Sequence, residues 1–164
     1  MTWNVFDIPV YGTITTSIFT KAHPAIVFVA GSGPTDRNWC SPLLPGTNGS
    51  AKLLAEALAN QGFVTLRYDK LASGPHVREN VPKLIGKISM QSHVEELKGA
   101  VKTLVAEKNV DNRNLFVISR VLGACAFQGE VESVRTGGKP TIIIWRPECE
   151  CSRSTRGFGC HALL

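Results

Sequence analysis

The sequence predicts an α/β fold: a mostly parallel sheet with helices on both faces and an antiparallel strand pair near its N-terminus. Three observations carry that expectation. The unbroken apolar run Ala25-Ile-Val-Phe-Val-Ala30 stops at a glycine-rich turn, Gly31-Ser-Gly-Pro-Thr-Asp-Arg37, and such a run suits a strand covered on both faces. Strand-like and helix-like patterns then alternate along the chain, as they do when right-handed crossovers lay helices against a parallel sheet. The first twenty residues instead mix apolar and polar side chains in a loose alternation, which suits short antiparallel strands.

Taken in order, Val5 to Val10 and Tyr11 to Phe19 read as the antiparallel pair, with Gly12 near their junction. Lys21-Ala-His-Pro24 leads into the first buried strand, and Gly31 to Gly49 forms a loop rich in Pro, Gly, Asn and Ser. Loops of that length commonly serve as lids or site walls. Ser50 to Asn60 is predicted to be a helix, with Leu53, Leu54, Ala57 and Leu58 on its apolar face and Gly62 as its stop. Phe63 to Asp69 is the next strand, and it exits into Lys70-Leu-Ala-Ser-Gly-Pro-His76. Met90, Val94, Leu97, Val101, Leu104 and Val105 recur at helical spacing, and Ser92-His-Val-Glu95 has the capping-box pattern, so a helix is expected to start there. Asp111-Asn-Arg-Asn114 is a polar turn before the strand Leu115 to Ile118, and Thr141 to Trp145 is a candidate further strand.

A chain of 164 residues is one domain's worth, and 43% hydrophobic with 19% charged residues is ordinary globular composition. Met1-Thr-Trp-Asn4 starts no basic and then apolar leader, and no run reaches the length of a membrane span. A cytoplasmic protein without a membrane partner is expected. The net charge is +5, but the basic residues are scattered, so no nucleic-acid partner is expected either. Cys40 is alone in the first part of the chain, whereas Cys125, Cys149, Cys151 and Cys160 crowd its last part. The odd total speaks against a disulfide framework. Cys149-Glu-Cys151 with Cys160-His161 supplies zinc-type ligands at a spacing unlike structural zinc sites, so neither metal nor cofactor is expected. Cys125 reads as a buried helix cysteine rather than a nucleophile.

Taken alone, the Gly31–Gly33 turn has two readings. It is either a tight strand exit or a backbone cradle whose N–H groups serve an anion or a developing oxyanion. Its companions are Gly46-Thr-Asn-Gly-Ser50, Leu66-Arg-Tyr-Asp-Lys70, Ala72-Ser-Gly-Pro-His76 and Ser89-Met-Gln-Ser-His93. With these motifs in this order, residues 1–118 resemble α/β-hydrolases of the serine esterase and acylaminopeptidase-like type. The resemblance implies an ester or amide of a small molecule as substrate. It makes the first turn an oxyanion-hole loop, with backbone N–H groups of Ser32 and Gly33 as donors and Gly31, Asp36 and Arg37 in support. Asp69 and His76 become candidates for the pocket lining, against structural roles for both.

In that family a serine on a G-x-S-x-G elbow attacks, after a His base takes its proton and an acid orients the His. Here the matching stretch is Ser119-Arg-Val-Leu-Gly123, in which Val121 holds the nucleophile slot and Ser119 replaces the first glycine. No catalytic residue is identifiable, and residues 124–164 are not expected to hold the family's later acid and His. The chain therefore reads as one incomplete domain over residues 1–164, family-like over 1–118 and divergent over 119–164. It is expected to be a hydrolase by ancestry and inactive as given. Two other readings stand: a non-catalytic module that binds a small ligand, or a frameshifted or truncated fragment without function. A one-base shift of codons 119–123 permits Ala-Gly-Ser-Leu-Gly, which would restore a serine elbow. Nothing in the sequence sets the oligomeric state.

Overall fold

The computed structural model describes residues 1–17, 21–31 and 33–119, and the backbone of 141–144. The chain starts with a hairpin of β1 (Thr2–Val5) and β2 (Ile8–Thr15). Its turn is Phe6-Asp7, with φ of 52° and 61°, and left-handed angles at both central residues match the twist of paired strands. The junction expected near Gly12 is thus corrected. Gly12 lies inside β2 opposite Tyr68, where a Cβ would come within 3.0 Å of the Leu66 and Trp3 side chains. The true turn carries no Gly, and Asp7 by itself is a weak turn mark beside Gly12. Phe19 lies outside the described residues.

Beyond the hairpin come β3 (His23–Val29), β4 (Val64–Tyr68), β5 (Val110–Ser119) and β6 (Thr141–Ile144), in the sheet order β1-β2-β4-β3-β5-β6. The β1–β2 and β2–β4 pairs are antiparallel, and the β4–β3, β3–β5 and β5–β6 pairs are parallel. The polar stretch 111–114 is a bulge rather than a turn before the strand. His23 pairs with Val110 but Ala25 with Leu115, and the Asp111 carboxylate folds the extra residues by accepting from Arg113 N at 3.0 Å and Asn114 Nδ2 at 2.8 Å.

Strand β3 is covered on both sides because its side chains alternate between two cores. Ala25, Val27 and Val29 belong to the core that holds Leu97, Val101 and Leu104 of α3 (Met90–Val105), while Ile26 and Phe28 pack with Ala51 and Ala55 of α1 (Ser50–Asn60). Helix α1 spans the expected residues but buries a different face. Leu53 and Leu54 are 61% and 37% exposed and Ala57 is exposed, whereas Ala51, Ala55 and Ala59 are buried and Leu58 is half-buried. Alanines let the helix axis approach the bulky Ile26, Phe28 and Trp39, so the volume on this side comes from the sheet and loop.

Helix α3 begins three residues earlier than its expected capping box. Ser89 is the N-cap: its Oγ accepts from Ser92 N at 3.3 Å, and Ser92 Oγ accepts from Ser89 N at 3.1 Å. Two orphan donors are satisfied reciprocally. The short helix α2 (Val77–Asn80) and a 3₁₀ turn (Val81–Leu84) join β4 to α3. Among the described residues, no helix is long and apolar enough to cross a membrane.

Candidate anion-binding turn

Strands β3 and β4 are adjacent and parallel, so their carboxyl ends bring the 31–37 turn beside the 69–76 loop. The chain leaves β3 to one side through β4 and returns on its other side as β5. Ligands of open parallel sheets bind outside the carboxyl ends of strands at such a reversal. A cleft of about 420 Å³ lies here, lined by Pro34, Asp36, Cys40, Leu44, Ser73 and Gly74 among others.

Ion pairs and hydrogen bonds clamp the turn to the 69–76 loop from below. The Lys70 ammonium donates to the carbonyl oxygens of Gly31 and, at 2.7 Å, of Gly33. Lys70 is 7% exposed. Burial pushes its pKa below the usual 10.5, and the negative charge of Glu96 opposes that shift. Arg37 grips the Asp69 carboxylate by its backbone N at 2.7 Å, by Nε at 2.9 Å and by Nη2, and it donates from Nη1 to Thr13 Oγ1 at 2.9 Å. A paired fork of this kind fixes direction as well as distance. Asp36 Oδ1 accepts from the N–H groups of Asn38 and Cys40 at 2.8 and 2.9 Å, closing the start of the loop on itself. Arg67 extends the clamp by donating from Nη1 to Asn38 Oδ1 and from Nη2 to Thr15 Oγ1 at 3.3 Å. Burial lowers the Arg67 pKa, with Glu56 opposing.

The residues expected at the site divide accordingly. Gly31 is buried; Gly33 is exposed, with φ of 75°. Asp36 lines the cleft, and Arg37 braces it through Asp69. Asp69 is 4% exposed and lies under Gly74 rather than on the cleft wall. His76 is not on the wall either: its ring stacks on Tyr11 with centroids 4.1 Å apart, and its Nδ1 is 3.5 Å from Glu79 Oε2. Ser32 and Val121 lie outside the described residues, as do Cys125, Cys149, Cys151, Cys160 and His161. Among the described residues, no three His, Cys, Asp or Glu side chains are grouped so as to hold a metal ion.

Two residues of this assembly are not legible as functional in the sequence. Lys70 closes the Leu66-Arg-Tyr-Asp-Lys70 motif, which by itself gives the lysine no role. Glu96 is 1% exposed, and its carboxylate accepts from Leu71 N at 2.8 Å while contacting His93 Nδ1 at 3.1 Å. A signal for Glu96 exists, since an acid directly beside Leu97 on an amphipathic helix needs buried partners.

No family model matches the sequence, and no curated protein matches it. Solved structures do match the fold. A dienelactone hydrolase from Anabaena variabilis superposes with a TM-score of 0.57 at 16% identity, over 89% of this chain and 60% of its own. The described chain has the N-terminal part of an α/β-hydrolase fold. The α/β hydrolase GrgF from Penicillium superposes with a TM-score of 0.59 at 12% identity, over 87% of this chain and 45% of its own. A Pyrococcus horikoshii acylaminoacyl peptidase superposes with a TM-score of 0.55 at 12% identity, over 78% of this chain and 19% of its own. This chain therefore spans less than two thirds of the length of each of these hydrolase-fold proteins, and the likeness concerns the fold.

Proposed function

We propose that this hydrolase-fold chain derives from a serine esterase or peptidase acting on a small ester or amide, and that as given it is inactive. The observation that carries the reading is the Gly31–Gly33 turn, held by Lys70 beside an open cleft at the carboxyl ends of β3 and β4. In a planar trans peptide the N–H points opposite to its carbonyl. The Gly31 carbonyl held on the Lys70 ammonium therefore suits a Ser32 N–H that serves an incoming oxyanion or carboxylate, with the Gly33 N–H as the further donor that the family resemblance implies. Gly31, Asp36 and Arg37 support that loop in this reading. Val121 supplies no attacking group in the nucleophile slot, so transition-state stabilisation has nothing to act on. Residues 1–118 form the family-like part in this proposal and 119–164 the divergent part.

Hydrolysis of p-nitrophenyl acetate tests the inactivity. Slow stoichiometric acetyl transfer to thiols and imidazoles of the chain is expected, and it should fall in the Cys40→Ala/His93→Gln double variant. Catalytic turnover surviving both substitutions would overturn it. The second reading, a non-catalytic binding module, is favoured by the size of the cleft, about 420 Å³. It predicts that sodium butyrate shifts the Gly33 amide resonance and that Gly33→Val abolishes the shift. No atom lies within 4 Å of a Cβ at Gly33, so valine acts there through the φ of 75° and not through a clash.

A further inference from the structure

We propose that a second cleft, between the β1–β2 hairpin and α3, binds a small organic anion with a flat aromatic body, such as an aromatic carboxylate. The cleft holds about 320 Å³ and has no lining residue in common with the one beside the Gly31–Gly33 turn, so the inference stands apart from the reading above. A volume of that order takes a ring system together with its carboxylate. The helical repeat builds one side of it. Val94, Leu97, Val101 and Leu104 of α3 are buried in the core, and the 3.6-residue period then sets Glu95, Lys98, Gly99 and Lys102 along a neighbouring stripe that borders the cleft. The hairpin supplies the other side through Trp3 and Phe6. Trp3 is half-buried and fixed by two contacts. Its ring meets the buried Tyr68 edge to face with centroids 5.5 Å apart, and it lies so close over Gly99 that a Cβ there would come within 2.2 Å of Cδ1. A flat aromatic surface is therefore in place before any ligand arrives, which lowers the ordering cost of binding.

Phe6 is the residue that local rules leave unexplained. It holds the first central position of the hairpin turn with φ of 52°, where Asn, Asp or Gly is the usual occupant and an ordinary side chain is strained. It is also 43% exposed. A bulky apolar residue thus stands where neither turn geometry nor core packing favours it, and it borders the same cleft as Trp3. Two aromatic rings on one cleft suit a planar ligand. The charge of the lining sets the sign of that ligand. Glu95 is already engaged, accepting from Lys98 Nζ at 3.2 Å and from Gln91 Nε2 at 3.0 Å. Lys102 is exposed and has no carboxylate partner among the described residues. Two ammonium groups against one occupied carboxylate leave a positive balance, which is complementary to an anion. An exposed ion pair adds little affinity by itself, so the ring contacts supply most of the binding and Lys102 selects the charge.

The test uses the full chain labelled with ¹⁵N and titrated with sodium β-naphthoate. The Trp3 indole N–H and the Gly99 amide should shift together and saturate with a Kd of about 1 mM, while the Val27 amide in β3 stays in place as a control for folding. Phe6→Asn replaces the ring by a residue suited to the left-handed turn, so the hairpin is kept, and it should weaken binding about tenfold. Lys102→Gln should weaken naphthoate binding about threefold and leave binding of the neutral β-naphthamide unchanged. The absence of a saturable shift at Trp3 and Gly99 overturns the proposal, as does equal affinity in the Phe6→Asn protein. If β-naphthamide binds the unsubstituted chain as tightly as naphthoate does, the anionic class of the ligand is overturned.

Discussion

Gly74 and Gly46 have similar backbone angles, with φ of 74° and 86°, yet they are constrained for different reasons. A Cβ at Gly46 meets no atom within 4 Å, whereas at Gly74 it would lie 2.4 Å from the Asp69 carboxyl carbon. Gly46→Ala should therefore cost about 1 kcal/mol, the strain of a left-handed alanine. Gly74→Ala adds displacement of a carboxylate that neutralises the partly buried Arg37, and it should cost at least about 2 kcal/mol more. Urea denaturation of the two variants decides this, and equal midpoints would mean that the Arg37–Asp69 pair yields freely. At this scale the glycine turn was legible, because Gly31 and Gly33 announce unusual backbone by their identity alone. Lys70 was not, because its link to Gly31 joins residues 39 positions apart, and no local pattern encodes which distant carbonyl an ammonium will meet.

Helix α1 shows the same limit one level up. Its bounds were readable from Ser50 and Gly62, but apolar residues occur on several sides of Ser50–Asn60, so bulk pointed to the leucines. Packing chose the alanines, because the sheet beneath already supplies Ile26 and Phe28. Leu53→Ala should accordingly change stability by no more than about 0.5 kcal/mol, as for other surface substitutions. Ala55→Leu should destabilise by about 1–3 kcal/mol, because an extra isobutyl group has no room against Phe28. Thermal melts followed by circular dichroism test the pair, and the reverse order would restore the leucine face as the buried one. The start of α3 was misplaced for a related reason. Ser89 and Ser92 lie three apart, as do Ser92 and Glu95, so two overlapping capping boxes compete in the sequence. The earlier one wins by adding a turn to the helix, while Glu95 is left at the surface to bond Gln91 and Lys98.

The order of the strands belongs to the whole molecule. Alternating patterns predicted parallel strands and helices on both faces, but they did not state that β4 inserts between β2 and β3 or that β5 falls on the far side of β3. That choice depends on crossover handedness and on which helix covers which face, and both are settled when the sheet assembles. Its consequence is a centre at β3, whose residues Ala25, Val27 and Phe28 are at most 1% exposed, with hydrogen-bonded neighbours on both edges. Strand β1 pairs with β2 at one end of the sheet order and closes on a hairpin. Amides that open only with global unfolding should therefore lie in β3 and in the facing parts of β4 and β5, while those of β1 exchange through local fraying. For a domain of ordinary stability the central amides should exchange at least about a thousandfold more slowly than in an unstructured chain. Hydrogen exchange read residue by residue measures this directly. A truncated chain that held no stable fold would give the opposite, uniformly fast exchange from β3 through β5, and that result would leave the Gly31–Gly33 turn with no scaffold to hold it in shape.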